Sequence, residues 1–157
     1  MHSRIIGIVQ KTNDEDYERE KEVVLSTAEC EVYDQMGQVP DYVIESEDIK
    51  DDFDWFLSGK AYLEKTGDYT FKINKDKLEE YLKDRIEKVR TVICGWTSIR
   101  QMIMDTERVK EILDDRFSFY VLSGYYTMTL DEFLNDIYIG NNYDIEYEVV
   151  KTFDYHF

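Results

Sequence analysis

A chain of 157 residues with 43% apolar and 15% aromatic side chains is long enough for one domain with a substantial core, and lies outside the disordered regime. Its 35 acids against 19 bases set the net charge at −16, which repels nucleic acid and anionic membranes and attracts basic proteins. No apolar run reaches membrane-span length and MHSRIIGIVQ holds no signal-peptide core, so a cytoplasmic, membrane-free protein is the expectation.

Residues 4–10, rich in Ile and Val, read as a short strand. Asn13 then caps a helix whose first turn holds Asp14, Glu15 and Asp16, where carboxylates suit the positive end of the dipole. Tyr17, Val24, Leu25, Ala28, Val32 and Met36 recur with helical spacing, which predicts one helix to about residue 36. Gly37 and Pro40 stop it, and residues 41–44 are extended.

The stretch ESEDIKDDFDWFL follows, with Ser46 as its N-cap and Gly59 just past its end. Ile49, Phe53, Phe56 and Leu57 share one helical face, so Glu47, Asp48, Asp51, Asp52 and Asp54 are expected on an acidic back. Trp55 lies off the apolar stripe. Its exposure would mark this helix as a binding face, whereas its burial would shift that role to the last strand.

A hairpin with Gly67 in its turn comes next. Asn74 opens the strongest helix, in which Leu78, Tyr81, Leu82, Arg85, Ile86, Val89, Val92, Ile93 and Trp96 hold the period. The helix breaks around 95–98, and residues 99–104 and 105–116 continue helical with Val109, Ile112 and Leu113 inward. In the second hairpin a Ser123–Gly124 loop places Val121 opposite Tyr126 and Phe119 opposite Met128, with Phe117 on the same face. Thr129 and Glu132 form a capping box for a helix carrying Phe133, Leu134 and Ile137, which Gly140 and two Asn close.

From Ile145 every second residue to Phe157 forms an apolar set, broken only by Lys151, and the alternate set is Asp144, Glu146, Glu148, Val150, Thr152, Asp154 and His156. That pattern predicts a long amphipathic strand with one solvated, mostly acidic face. Together the elements describe a single α+β domain over 1–157. Its sheet is largely antiparallel, with two hairpins and the long C-terminal strand, packed against about four to five helices.

Signals for catalysis are weak. His2 and His156 are the only histidines, and His156 reads as a solvated edge residue. Cys30 and Cys94 are expected to be buried small hydrophobes rather than a disulfide framework. Asp14 with Asp16 and Asp52 with Asp54 are compact acid pairs, but residues two apart on a helix point about 200° apart and share an ion poorly. No catalytic residue, cofactor or metal site is therefore expected.

Charge patterning says more. Residues 117–150 hold six acids and no base, 13–22 six acids, and 41–54 seven acids, whereas 72–110 carry ten bases and seven acids. Solvated faces that keep the chain soluble are the plain alternative for each block. Three blocks together point to an acidic interaction protein, by class analogy with phage or mobile-element anti-defence inhibitors that mimic nucleic acid. Its partner would be a basic nucleic-acid-binding protein or nuclease. The contact surface would be Glu47, Asp48, Asp51, Asp52 and Asp54 with Trp55 as anchor, and Glu146 and Glu148 as a second patch. An immunity protein for a toxic nuclease and a small carboxylate-dependent enzyme are the alternatives. The oligomeric state is open.

Overall fold

The sheet is organised around its last strand. The computed structural model describes residues 2–12, 15–36, 41–113 and 119–156. The expectations placed on Asn13, Asp14, Gly37, Pro40, Arg116, Phe117 and Phe157 lie outside the described residues. Strand β7 (Glu146–His156) pairs along one edge with β1 (His2–Gln10). Along its other edge it pairs with β4 (Thr70–Ile73) and then β2 (Tyr42–Glu45). Beyond β4 lies β3 (Leu63–Lys65), and beyond β1 lie β5 (Phe119–Ser123) and β6 (Tyr126–Thr129). Among these pairs β1–β5 is parallel and the rest are antiparallel, so the α+β class with a mostly antiparallel sheet holds.

Helices cover both faces. Helices α1 (Glu15–Ser26) and α2 (Glu29–Gln35) bring Val24 and Val32 against Ile5, Val9, Phe153 and Tyr155. On the other face α3 (Ile49–Leu57), the start of α4 (Lys75–Cys94) and α6 (Leu130–Gly140) bury Phe53, Phe56, Leu78, Phe133 and Leu134 against Ile6 and Ile8. Helix α5 (Ile99–Leu113) packs back along α4. Arg85 fastens its end, giving Nε to the Ile112 carbonyl at 3.1 Å and its guanidinium to Asp131 at 2.7 Å and the Leu113 carbonyl.

The last strand departs from its expected single apolar face. Gly7 stands opposite Lys151 and Ile8 opposite Val149, which leaves Val150 as an extra residue on β7. Tyr147 and Val149 therefore join the α3 side, while Val150, Phe153 and Tyr155 join the α1 side. A one-residue bulge lets one alternating strand serve two cores.

The expected continuous helix to residue 36 is broken at Thr27–Ala28, where Ala28 is extended at φ −85° and ψ 157°. The Lys151 ammonium is buried there and donates to the Leu25 and Thr27 carbonyls, both at 3.0 Å. Those carbonyls would otherwise bond amides four residues on, so the lysine replaces a helical turn. In the β5–β6 hairpin Ser123 pairs with Tyr126 and Val121 with Met128, not with Tyr126 as expected. The loop is Gly124–Tyr125, because its first position needs the φ of +58° that Gly124 supplies. Tyr126 stays on the face of Val121 and Met128 but lies beside the loop and is exposed.

Helix caps follow the sequence with one exception. Asn74 accepts from the Lys77 amide, Thr129 and Glu132 form their capping box, and Asn141 ends α6 in the left-handed region. Helix α3 is capped by Asp48 rather than Ser46, and Gly59 follows its end at φ +73°. The apolar stripe of α4 outruns the sheet, so Ile86 and Ile93 are exposed instead of inward, as is Leu113 of α5.

Gly7 sits beside the bulge where α1 comes closest. A Cβ there would lie 2.8 Å from Val24 Cγ1 and 3.0 Å from the Lys151 carbonyl. Gly7→Ala is expected to lower stability by about 1–3 kcal/mol, read as a reduced urea midpoint with unchanged slope.

Candidate partner-binding surface

Helix α3 sorts its charge and its aromatics by geometry. Phe53 and Phe56 are fully buried and meet Phe71 at ring-centroid distances of 6.3 and 5.5 Å. Phe56 also meets Phe119 edge-on at 5.3 Å, and Ile49 and Leu57 pack at the margin. The Asp48 carboxylate accepts from the Asp51 amide at 3.0 Å, placing negative charge at the helix N-terminus. Glu47, Asp48, Asp51 and Asp54 are exposed.

Asp52 is not on that face. It is 5% exposed, three residues after Ile49 and four before Phe56, so it points inward beside the apolar stripe. Its Oδ1 receives Arg4 Nε at 2.5 Å and its Oδ2 accepts from Thr152 Oγ1 at 2.8 Å. Arg4 also pairs with Asp154 and donates to the Ser3 carbonyl. This network replaces the contact role expected of Asp52 and locks α3 to β1 and β7.

The side chain of Trp55 is divided between core and solvent. It is 45% exposed, its ring meets Phe119 edge-on at 5.1 Å, and the Arg4 guanidinium lies 5.2 Å from its centroid. An aromatic held on one side and open on the other contributes contact area at little entropic cost. Next to it Asp54 binds Lys65 Nζ at 2.8 Å, and that hydrogen bond lowers the Asp54 pKa.

The second patch is engaged internally. Glu146 accepts from Thr66 Oγ1 at 2.5 Å and lies 3.3 Å from Lys11 Nζ, contacts that lower its pKa, Thr66 foremost. Glu148 takes Lys21 Nζ at 2.8 Å and the Tyr17 hydroxyl. Burial pushes the Glu148 carboxyl up, but those two donors outweigh it and the net shift is downward. The same hydrogen bond raises the Lys21 pKa. Beyond the bulge Asp154 turns to the Arg4 side, so the expected row of carboxylates about 6.8 Å apart is interrupted.

The remaining reactive groups stand apart. Cys30 and Cys94 are both exposed on helix surfaces, not buried as expected. His156 is paired across β7 with His2 and Tyr42 rather than lying on an edge, its ring stacks on Tyr42 at 5.3 Å, and its Nδ1 is 3.0 Å from Asp41 Oδ2. Among the described residues no three His, Cys, Asp or Glu side chains converge as a metal would require. No described helix is long and apolar enough to cross a membrane.

The sequence reading missed the Arg4–Asp52–Thr152–Asp154 network, although the spacing of Asp52 from Ile49 and Phe56 was the available signal. Asp52→Ala is expected to destabilise the fold by about 1–3 kcal/mol, since it removes one of the two carboxylates on the Arg4 guanidinium and the acceptor of Thr152, while Asp51→Asn stays within about 0.5 kcal/mol. Urea unfolding of both variants separates the two roles. Because Glu148 titrates below its ordinary 4.5, the unfolded chain takes up the proton first as pH falls. Its contribution is full above that value and is lost as pH drops through the lower folded value. Glu148→Gln should therefore lower the pH 7 midpoint and flatten the decline in stability as pH falls below about 5.

No protein-family model, no curated protein and no solved structure matches this chain.

Proposed function

We propose that this chain is a non-catalytic inhibitor whose α3 face occupies a basic, nucleic-acid-binding surface on a protein target, in the manner of anti-defence proteins that mimic nucleic acid. The observation that carries the reading is four exposed carboxylates, Glu47, Asp48, Asp51 and Asp54, around the half-open ring of Trp55. They stand on a helix fixed by two buried Phe residues and a buried ion pair, so the face is preorganised. A net charge of −16 would steer a basic target towards the chain, and carboxylates would replace phosphates on its Lys and Arg side chains. Glu146 and Glu148, already bonded within the chain, would contribute long-range field rather than direct contacts.

The test is capture from a host lysate on the immobilised full chain, followed by mass spectrometry, salt elution and competition with duplex DNA and RNA. Basic nucleic-acid-binding proteins are expected, released as salt rises and displaced by nucleic acid. A triple reversal, Glu47→Lys, Asp51→Lys and Asp54→Lys, should slow association at least about tenfold with an unchanged circular dichroism spectrum. Trp55→Ala should mainly speed dissociation. Capture indifferent to salt, nucleic acid and the triple reversal would sink the reading.

A further inference from the structure

The hairpin of α4 and α5 carries apolar surface that its own fold leaves open. Along the seam between the helices Arg85, Val89, Val92 and Trp96 are half-buried at spacings of four, three and four, and α5 answers with Gln101, Asp105, Val109 and Ile112. Beside that seam each helix bears a second stripe. On α4 it holds Ile86 and Ile93, seven residues apart; on α5 it holds Ile99, Met102 and Leu113, and all five are exposed. In an antiparallel hairpin these positions fall on the same side of the seam. The base of the hairpin shows it directly, because Ile86 and Leu113 line one cleft of about 390 Å³ with Ile139 of α6. Ile86 is 59% exposed and Ile139 82%, so this is a face rather than a margin.

We propose that this face is a homodimer interface, in which a second copy lays its own α4–α5 stripe across it about a twofold axis and completes a four-helix arrangement. Two features select a second copy as the occupant. The first is size. The side chains of the stripe, with Tyr138 and Ile139, are each 42–82% exposed, a larger open apolar surface than most monomers carry and of the extent that one side of a protein interface covers.

The second feature is charge. Two chains of −16 repel through most of their surfaces, but residues 72–110 carry ten bases and seven acids. The charges near the stripe are held in local pairs of both signs: Lys83 with Glu79 at 3.3 Å, Arg90 with Glu87 at 3.1 Å, and Lys110 with Glu107 at 2.7 Å. Such a rim meets its own copy without net repulsion, whereas a strongly basic target would gain nothing from it. The loop after α3 flanks α4 at Lys77, Tyr81 and Asp84, on the opposite side from Ile86. Dimerisation therefore leaves both α3 faces open and does not depend on the function proposed for them.

Sedimentation velocity of the full chain tests this, from micromolar to hundreds of micromolar protein at low and high salt. Association to twice the 18.9 kDa chain mass is expected, strengthening as salt screens the like charge. That salt response is opposite in sign to the one expected of the α3 face. Ile86→Glu with Met102→Glu should raise the dimer dissociation constant at least about 100-fold while leaving the far-ultraviolet circular dichroism unchanged. If the double variant loses its helical signal, amide exchange of the wild-type chain decides, with protection of residues 99–113 rising with protein concentration. A wild-type chain that stays at 18.9 kDa throughout, a double variant that dimerises like the wild type, or exchange that ignores concentration overturns the proposal.

Discussion

One extra residue in the last strand governs how the two cores are supplied. Without the bulge at Val150, regular alternation along β7 would present Tyr147, Val149, Phe153 and Tyr155 to the same face, and one helical layer would lose its aromatic floor. The bulge sends Tyr147 and Val149 towards α3 and α6, and Phe153 and Tyr155 towards α1 and α2. It also turns Lys151 into the end of α1 and Asp154 towards Arg4. The break between α1 and α2 and the anchoring of α3 both depend on where those two side chains arrive.

Elements defined by local chemistry were legible in the sequence. The caps at Asn74 and Thr129, the β3–β4 hairpin, the extents of α4 and α6, and the inward faces of α3 and α6 follow from periodicity and capping alone. What stayed hidden depends on partners far along the chain. A bulge shows only against the opposing strand, the helix break needs the Lys151 ammonium, and the burial of Asp52 needs Arg4. The β5–β6 register failed for a subtler reason: two loops differing by one step keep the same residues inward, and only the positive φ at Gly124 separates them. In the candidate surface Trp55 stood out correctly as the residue the stripe does not explain, whereas the row of carboxylates on β7 was read as free when it is largely bonded.

Thirty-five acids do not amount to one acidic surface. Some act at helix N-termini, as Asp48 and Glu132 do, and some close ion pairs that join layers, as Asp52, Asp131 and Glu148 do. Others are offered outward, and on α3 Glu47 and Asp51 stand so beside an open aromatic ring, with Asp48 and Asp54 exposed next to them although one caps the helix and the other holds Lys65. The distinction between internally bonded and outward charge decides where a partner can dock, and total charge only sets how strongly it is drawn in.

The anchoring of α3 also sets when the acidic face exists. Arg4 reaches Asp52 across 48 residues and Asp154 across 150, so the contacts that fix Trp55 and its neighbours are among the least local in the chain. Closing loops of that length precedes any gain from the contacts themselves. During synthesis the carboxylates of α3 emerge long before Asp154, but the rigid array waits for the first and last described strands to pair. On the function proposed for it, the α3 face takes its binding shape only once the sheet is whole, and a partial product carries the charge without the shape.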